Sequence, residues 1–517
     1  MRQPQSRLNR GQKSRTVSLS APLGGWNARD AWADMPNSDA VSMINWFPGT
    51  TDLMLRKGYS QWSTGYGAQV ESLLIYSGGA SMQMFGVTST GSIYDASAGG
   101  AVGAAVVSGL SNGRLEHVNV ATSGGNFMLS VNGQNKLIGY NGTTWWADGD
   151  GTHDITVLDT STVNNITVFK NRVWMIQANT LNAWYLPTSS IAGAAVQFPL
   201  QSVAHDGGYL VGVGAWTIDG GYGLDDQLAF ITNTGEVIVY KGTDPSSITT
   251  WSLIGVWSLG SPVGRRCMMK YGGDLLIITQ DGIVPMASSL QSSRLDPRVS
   301  ITNKIQWAVS QAISTYGSNF GWQMCYFPKE NQLYLNVPIN TGSGQEQYVM
   351  NTITQSWCRF TGWGANCFDL FNDLLHFGGN GFIGKAWDTF ADNSTNIQGD
   401  CAQAFSYFKS TGQQKHFTMA RPMLLTNGSP AVLATLNVDF QLNSNFSPLS
   451  VTPITYGIWD TSTWDIGVWG DIFSFSNEWQ GVNGIGYAGG IELEVASQGI
   501  ETHWVATDLV FEEGGTL

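Results

Sequence analysis

Residues 228–290, LAFITNTGEVIVYKGTDPSSITTWSLIGVWSLGSPVGRRCMMKYGGDLLIITQDGIVPMASSL, decide the fold. Four short apolar runs (LAFIT, EVIVY, DLLIIT and GIVPM) are joined in pairs by Asn233-Thr234-Gly235 and Gln280-Asp281-Gly282. Turns of this composition supply the positive φ that closes a tight antiparallel hairpin. Between the two pairs, Thr250 to Trp257 reads as a further strand with large aromatics to bury. Strand, turn, strand, loop and bulky strand together make the pattern of a propeller blade.

Looser copies lie on both sides, at intervals of roughly 40–60 residues, as a repeat architecture requires. They include SLLIYSGGASMQMFGVTSTGSIYDAS, HVNVATSGGNFMLSVNGQNKLIGYNGTTWW and ITVFKNRVWMIQANTLNAWYLP before the central stretch, and CFDLFNDLLHFGGNGFIGKAWD after it. In each copy a β-run meets a Gly or Asn turn, and a later strand ends near an aromatic such as Tyr94, Tyr140, Trp184, Tyr240 or Trp387. Repeats that cannot bury their own faces stack around an axis, so the expectation is an all-β propeller of about six blades over residues 71–398. One helix interrupts it: Ile305, Ala308, Val309, Ala312 and Ile313 share a face at helical spacing, with Thr302 as the expected N-cap.

Composition agrees. Only 12% of residues are charged, about half the usual share, while 63 Gly and 21 Trp favour short strands and turns over long helices. So few charges imply a surface partly covered by partners. A net charge of −13 is the opposite of the basic stripe that grips nucleic acid. Five cysteines without a CxxC pair give neither a disulfide framework nor a zinc site, which implies reduced thiols and synthesis in the cytoplasm. No apolar run approaches the roughly 20 residues of a membrane-spanning helix.

Outside the propeller, residues 1–20 carry Arg2, Arg7, Arg10, Lys13 and Arg15 and no acid, so they read as a flexible basic arm suited to assembly. Residues 21–70 read as an N-terminal β segment able to pack with the C-terminal domain, with a single helical turn opening at Ser38-Asp39-Ala40-Val41. Residues 399–517 read as a separate β-rich, sandwich-like domain. Trp459, Trp464 and Trp469, five apart, fit neither a strand face nor a helix face and are expected on a looped edge.

Motifs for chemistry are sparse. Gly109-Leu110-Ser111-Asn112-Gly113 has the spacing of a nucleophile elbow, but a strand rather than a helix is expected after it. Asp148, Asp150 and Asp154 are weak metal candidates, because their spacing departs from a calcium loop and suits an Asx-rich turn. The Gly-rich segment with Asp206, Gly207, Gly208, Asp219, Gly220, Gly221, Asp225 and Asp226 reads as a mobile flap over a channel or lumen. Asn340 to Gln345 is a second such loop. No cofactor motif is present, and the expectation is a protein that is not an enzyme.

Several phrases taken together carry a resemblance: LGGWNARDAWADMPNSDAVSMINWFPG, FKNRVWMI with WYLPTSSIAGAA, and GEVIVYKGTDPSSITTWSLIGVWSLGSPVGRR with GGDLLIITQDGIVP. In this order they resemble the tail nozzle (tail hub) proteins of short-tailed bacteriophages, the podoviruses, a group that includes the packaged-DNA-stabilisation proteins. The resemblance spans Pro22 to Leu290 and is weaker beyond. It implies a virion protein, six copies of which form a tube below the portal and adaptor ring. That homo-hexamer would retain packaged genomic DNA, pass it on ejection, and carry tail fibres, spikes or a needle. The alternative from another class is a carbohydrate-binding, receptor-binding or glycosidase propeller whose exposed Trp side chains stack on sugars.

Overall fold

The computed structural model describes residues 14–219, 224–289, 300–340, 344–451 and 473–514. The chain forms two compact units: Tyr59–Gln355 with Phe360–Asp388, and Met1–Gly58 with Ser356–Arg359 and Thr389–Leu517.

In the first unit the expected hairpins are present, and they define antiparallel sheets in strict chain order. The central stretch supplies Leu224–Thr232 and Glu236–Gly242, then Trp251–Ser258, and later Asp274–Thr279 and Gly282–Pro285. The seven sheets begin with the second half of Tyr59–Tyr76, then Glu116–Thr122, Val163–Phe169, Leu210–Asp219, Met268–Tyr271, Gln323–Phe327 and Cys367–Phe371. Each of these first strands lies beside the first strand of the next sheet, and Cys367–Phe371 lies beside Tyr59–Tyr76. The ring is therefore closed, which makes the unit a β-propeller. Among the described residues seven such first strands line the ring, where the sequence repeats suggest about six blades.

Closure is made by the 18-residue strand Tyr59–Tyr76. Its first half pairs with Asn380–Ala386 in the seventh sheet (Tyr59 opposite Ala386, Gln69 opposite Asn380), and its second half pairs with Gln83–Thr88 in the first. One strand thus belongs to two blades and ties the end of the ring to its beginning. Apolar side chains fill the wedges between blades. Between the third and fourth, Trp251 stacks on Trp174 (5.6 Å, 13°) and on Tyr240 (5.7 Å, 14°), which buries the aromatic that the sequence marked for burial.

The helix is Gln306–Tyr316 and buries the anticipated Ala308, Val309, Ala312 and Ile313. Thr302 is not its cap. A 3-10 turn, Asn303–Ile305, comes first, Ile305 holds the N-cap position, and the Thr302 hydroxyl accepts the Ile283 N–H at 3.2 Å.

His376, on Leu374–Gly378 of the seventh sheet, is buried against Trp62 and Phe371. Its Nδ1 meets the Leu374 carbonyl at 3.1 Å, and its Nε2 is buried with no hydrogen-bond partner. Burial lowers its pKa from 6.5 to about 4. Between those values the unfolded chain binds a proton that the folded chain refuses, so stability falls as pH falls from 6.5 to about 4. The full loss is about 3 kcal/mol. The urea midpoint of His376→Leu should therefore be less pH-dependent across this window than that of the parent. Equal pH slopes would assign the acid sensitivity elsewhere.

The second unit is a two-sheet sandwich. One sheet has the order Ser447–Leu449, Ala431–Val438, Gly489–Ser497, Ile397–Gln403, Asp39–Ile44, with Gly25–Trp26 added to the last. The other runs Ser474–Ser476, Lys415–Thr426, Thr502–Glu513, Leu53–Leu55, Trp46–Pro48. Between the sheets, a Cβ at Gly399 would meet Leu55 Cδ1 at 2.4 Å, and one at Gly489 would meet Phe417 at 2.8 Å. Glycine is what lets the layers close at both points.

Three boundaries differ from the sequence reading. Ser14–Ser20 is a strand paired along Thr502–Glu513, with Arg15 Nη1 3.0 Å from Glu513 Oε1, so this part of the expected arm is not free. Arg2, Arg7, Arg10 and Lys13 lie outside the described residues. Residues 21–58 belong to the sandwich while 59–70 belong to the propeller, and the sandwich resumes at Thr389 rather than 399. Asp39–Ile44 is a strand and not the start of a helical turn: Ala40 and Met43 are buried core residues, and the segment pairs with Ile397–Gln403. Trp459, Trp464 and Trp469 fall outside the described residues.

Candidate functional site: the propeller axis

The first strands of all seven sheets surround a polar cavity of about 390 Å³, lined by Leu73, His117, Asn165, Gly214, Lys270, Gln323 and Asp369 among others. A strand at the axis has no further strand to pair with, so its backbone needs other partners. Polar side chains of the neighbouring blade supply them. His117 Nε2 accepts the Ile75 N–H at 3.3 Å, and Asn165 Oδ1 accepts the Val213 N–H at 3.2 Å. Gln323 accepts from the Phe368 N–H at 3.1 Å and donates to the Phe368 carbonyl at 2.8 Å.

The fifth sheet contributes something different. Gly264 takes φ +74 and is followed by Arg265 and Arg266, both reaching across the ring. Arg266 donates to Glu116 Oε1 (2.8 Å), Ser72 Oγ (2.6 Å), the Leu115 carbonyl (2.9 Å) and the Glu71 carbonyl (3.3 Å), all on the first and second sheets or leading into them. Arg265 donates to the Asn132 carbonyl (3.2 Å) and the Asn164 carbonyl (2.6 Å), reaching the second and third. In a ring of seven the first and second blades stand opposite the fifth. The two guanidiniums therefore span one mouth of the axial cavity and join four blades.

Their electrostatics differ. Burial works against the charge of Arg266 most, but the acidic groups around it, Glu116 foremost and Asp369 with it, together hold the guanidinium above its ordinary pKa. Arg265 has only carbonyl partners, and burial lowers it. Asp369, on the seventh sheet, is raised by burial; its oxygens meet the Leu370 N–H at 2.8 Å and His117 at 4.0 Å. Burial pushes the Cys267 and Cys367 thiols up to about 12, so neither offers a thiolate near neutral pH. What this arrangement offers chemically is charge recognition.

The residues singled out by sequence lie elsewhere. Asp148 is buried and accepts the Ile155 N–H (2.8 Å) and the Thr160 hydroxyl (2.5 Å). Asp150 accepts from the Thr152 and His153 N–H groups, and Asp154 accepts from that of Gly151. These carboxylates are used to build the turn, and among the described residues no group of three His, Cys, Asp or Glu is placed to hold a metal ion. Ser111 sits in a loop followed by the strand Glu116–Thr122, without the helix that an elbow needs.

The segment read as a mobile flap is largely a hairpin. The His205 and Asp206 N–H groups donate to Glu236 at 2.9 Å, and Gly207 and Gly208 turn the chain with φ of 67° and 83°. Leu210–Asp219 then pairs with Leu224–Thr232, placing Asp219 opposite Leu224, Asp225 opposite Ile218 and Asp226 opposite Thr217, and Asp226 is ion-paired to Lys170. Gly220 and Gly221 lie outside the described residues, as does part of the Asn340 to Gln345 loop. Sequence reasoning passed over Arg265 and Arg266. Their one available signal was two adjacent cations between apolar strands in a chain that is only 12% charged.

No protein-family model matches this chain, and no curated protein does. Among solved structures it is similar to BBS1N in complex with ARL6DN, in a mercury-soaked crystal (8% identity, TM-score 0.39, 64% of this chain and 97% of that chain). A lead-soaked crystal of the same complex gives 8% identity and a TM-score of 0.38, over 65% of this chain and 99% of that chain. No function for this chain follows from likenesses at this level.

Proposed function

We propose that the chain is a structural subunit of the tail nozzle (tail hub) of a short-tailed bacteriophage. Six copies would form a tube beneath the portal and adaptor ring, retain packaged DNA, let it pass on ejection, and carry fibres or spikes. The observation that carries this reading is the ordered set of phrases from LGGWNARD to GGDLLIITQDGIVP, which runs through both the N-terminal part of the sandwich and the propeller. Two physical features support it. A net charge of −13 keeps a polyanion sliding past without gripping it, and so low a charge content suits surfaces covered by neighbouring subunits. In this reading the basic residues Arg2, Arg7, Arg10 and Lys13 face the adaptor ring or an adjacent copy.

A second reading, receptor glycan binding, is favoured by one observation. On the sandwich, Phe475 (59% exposed) and Trp479 (39% exposed) are offered to solvent, with Arg421 4.6 Å from the Trp479 ring. Exposed aromatics beside polar groups suit sugar stacking. Mixing the purified chain with a portal–adaptor complex separates the two. The nozzle reading expects six copies bound per complex, whereas a chain left in the unbound fraction that binds a glycan array supports the second.

A further inference from the structure

The second sheet of the sandwich has an open strand on each side. Across it run Ser14–Ser20, Thr502–Glu513, Lys415–Thr426 and Gln480–Gly486, each antiparallel to its neighbour. Among the described residues neither outer strand pairs with a further one, and each is seven residues long. They stand level. The register aligns Ser14, Glu512, His416 and Ile485 in one row, and Val17, Leu509, Ala420 and Gln480 in another. The Ala21 N–H donates to the Val505 carbonyl at 3.0 Å and the pairing has no register shift, so Thr16 and Ser18 turn their N–H and C=O groups away from Thr502–Glu513. An open row of this kind pairs with another strand unless lysine, proline, a bulge or a covering segment blocks it. Ser14–Ser20 contains no lysine, proline or bulge. Gln480–Gly486 has no lysine or proline, and its register shift opposite Thr418 leaves Gly484 to Gly486 in regular pairing. Beside it Ile485 (60% exposed), Met419 (38% exposed) and Trp479 offer apolar side chains to solvent, as interfaces do.

We propose that copies of this chain join by strand addition, Ser14–Ser20 of one copy pairing antiparallel with Gln480–Gly486 of the next, so that one sheet continues around a closed ring. This rests on the reading of the chain as a ring-forming nozzle subunit. The two edges run in opposite directions, so rotation about an axis along the strands brings them together antiparallel. Such a head-to-tail contact closes a ring and does not stop at a dimer. Without a shift along the axis, Ser14 of one copy stands beside Ile485 of the next. Charge fits this direction. Beyond Ser14 the chain continues into Lys13, Arg10, Arg7 and Arg2. Beyond Ile485 stand Gly486 and the exposed Asp439, whose Oδ2 is 2.6 Å from the place of a Gly486 Cβ.

The test combines Ser14→Cys with Ile485→Cys, oxidised both in the concentrated full chain and in its mixture with the portal–adaptor complex. Within one copy the two positions lie three strand spacings apart, about 14 Å, too far for a disulfide. The five native cysteines are buried. The expected result is a ladder of covalent multimers reaching six on the complex, with neither single variant passing the dimer. Ser18→Pro, an exposed change that keeps the bonds to Thr502–Glu513, should weaken copy-to-copy association at least about tenfold and leave the melting temperature in place. Six copies on the complex without a ladder overturn the strand pairing and leave the nozzle reading standing. A ladder in the free chain with no copies on the complex keeps the pairing and removes the nozzle. Neither copies nor ladder overturns both.

Discussion

Replacing Arg266 by alanine is expected to lower the stability of the propeller by about 3–5 kcal/mol, the range for removing one partner of a buried ion pair. The side chain is only 9% exposed and makes four hydrogen bonds to groups on or leading into two blades opposite its own, so truncation strands the Glu116 carboxylate and three further acceptors. The loss should be shared with the partner. Glu116→Ala alone should be costly, because it leaves a buried guanidinium without its counter-charge. The double variant R266A/E116A should be less unstable than the sum of the two singles. Urea unfolding of the four proteins measures this coupling. Additive losses would mean that the pair contributes packing and no mutual electrostatic stabilisation.

A loss of similar size is expected in the sandwich for Arg56→Ala. Arg56 is fully buried, and its two terminal nitrogens meet the Asp392 carboxylate at 2.8 and 2.7 Å. Nε donates to Asn45 Oδ1 at 2.8 Å and Nη1 to the Lys57 carbonyl at 3.1 Å. This fork ties the chain leaving the N-terminal part of the sandwich to Asp392, where the sandwich resumes. Alanine should destabilise the sandwich by about 3–5 kcal/mol. Lysine, despite its charge, should recover only part of that, because an ammonium cannot present two parallel donors to one carboxylate. Full recovery by lysine in a denaturation series would show that charge alone, and not the fork, is what the site needs.

What could be read from the sequence was local. Asn233-Thr234-Gly235 and Gln280-Asp281-Gly282 encode their own turns, and the strands on either side follow from β-branched and aromatic content, so the hairpins of residues 228–290 lie where they were expected. The helix stripe from Ala308 to Ile313 was legible for the same reason. Long-range pairing was not. Tyr59–Tyr76 is one continuous strand, and nothing in it announces that its first half pairs with residues more than three hundred positions away. Ser14–Ser20 is polar enough to pass for a tail and becomes a strand because Thr502–Glu513 offers it an edge.

The reading of residues 206–226 gave no role to Gly214, which the fold uses for packing. A Cβ at that position would come within 3.0 Å of both Leu275 methyl carbons and 3.1 Å of the Met268 sulfur, so glycine lets the fourth and fifth blades approach at the axis. The axial site was illegible for a related reason. Its charged groups come from segments around residues 116, 265 and 369, and only ring closure brings them together.

For the proposed six-copy tube on a portal, the deciding measurement is the native mass of the purified chain, alone and mixed with a portal–adaptor complex. A nozzle subunit should add six copies to the complex, whatever the chain does alone. A chain that remains a monomer and adds no mass to the complex would contradict it.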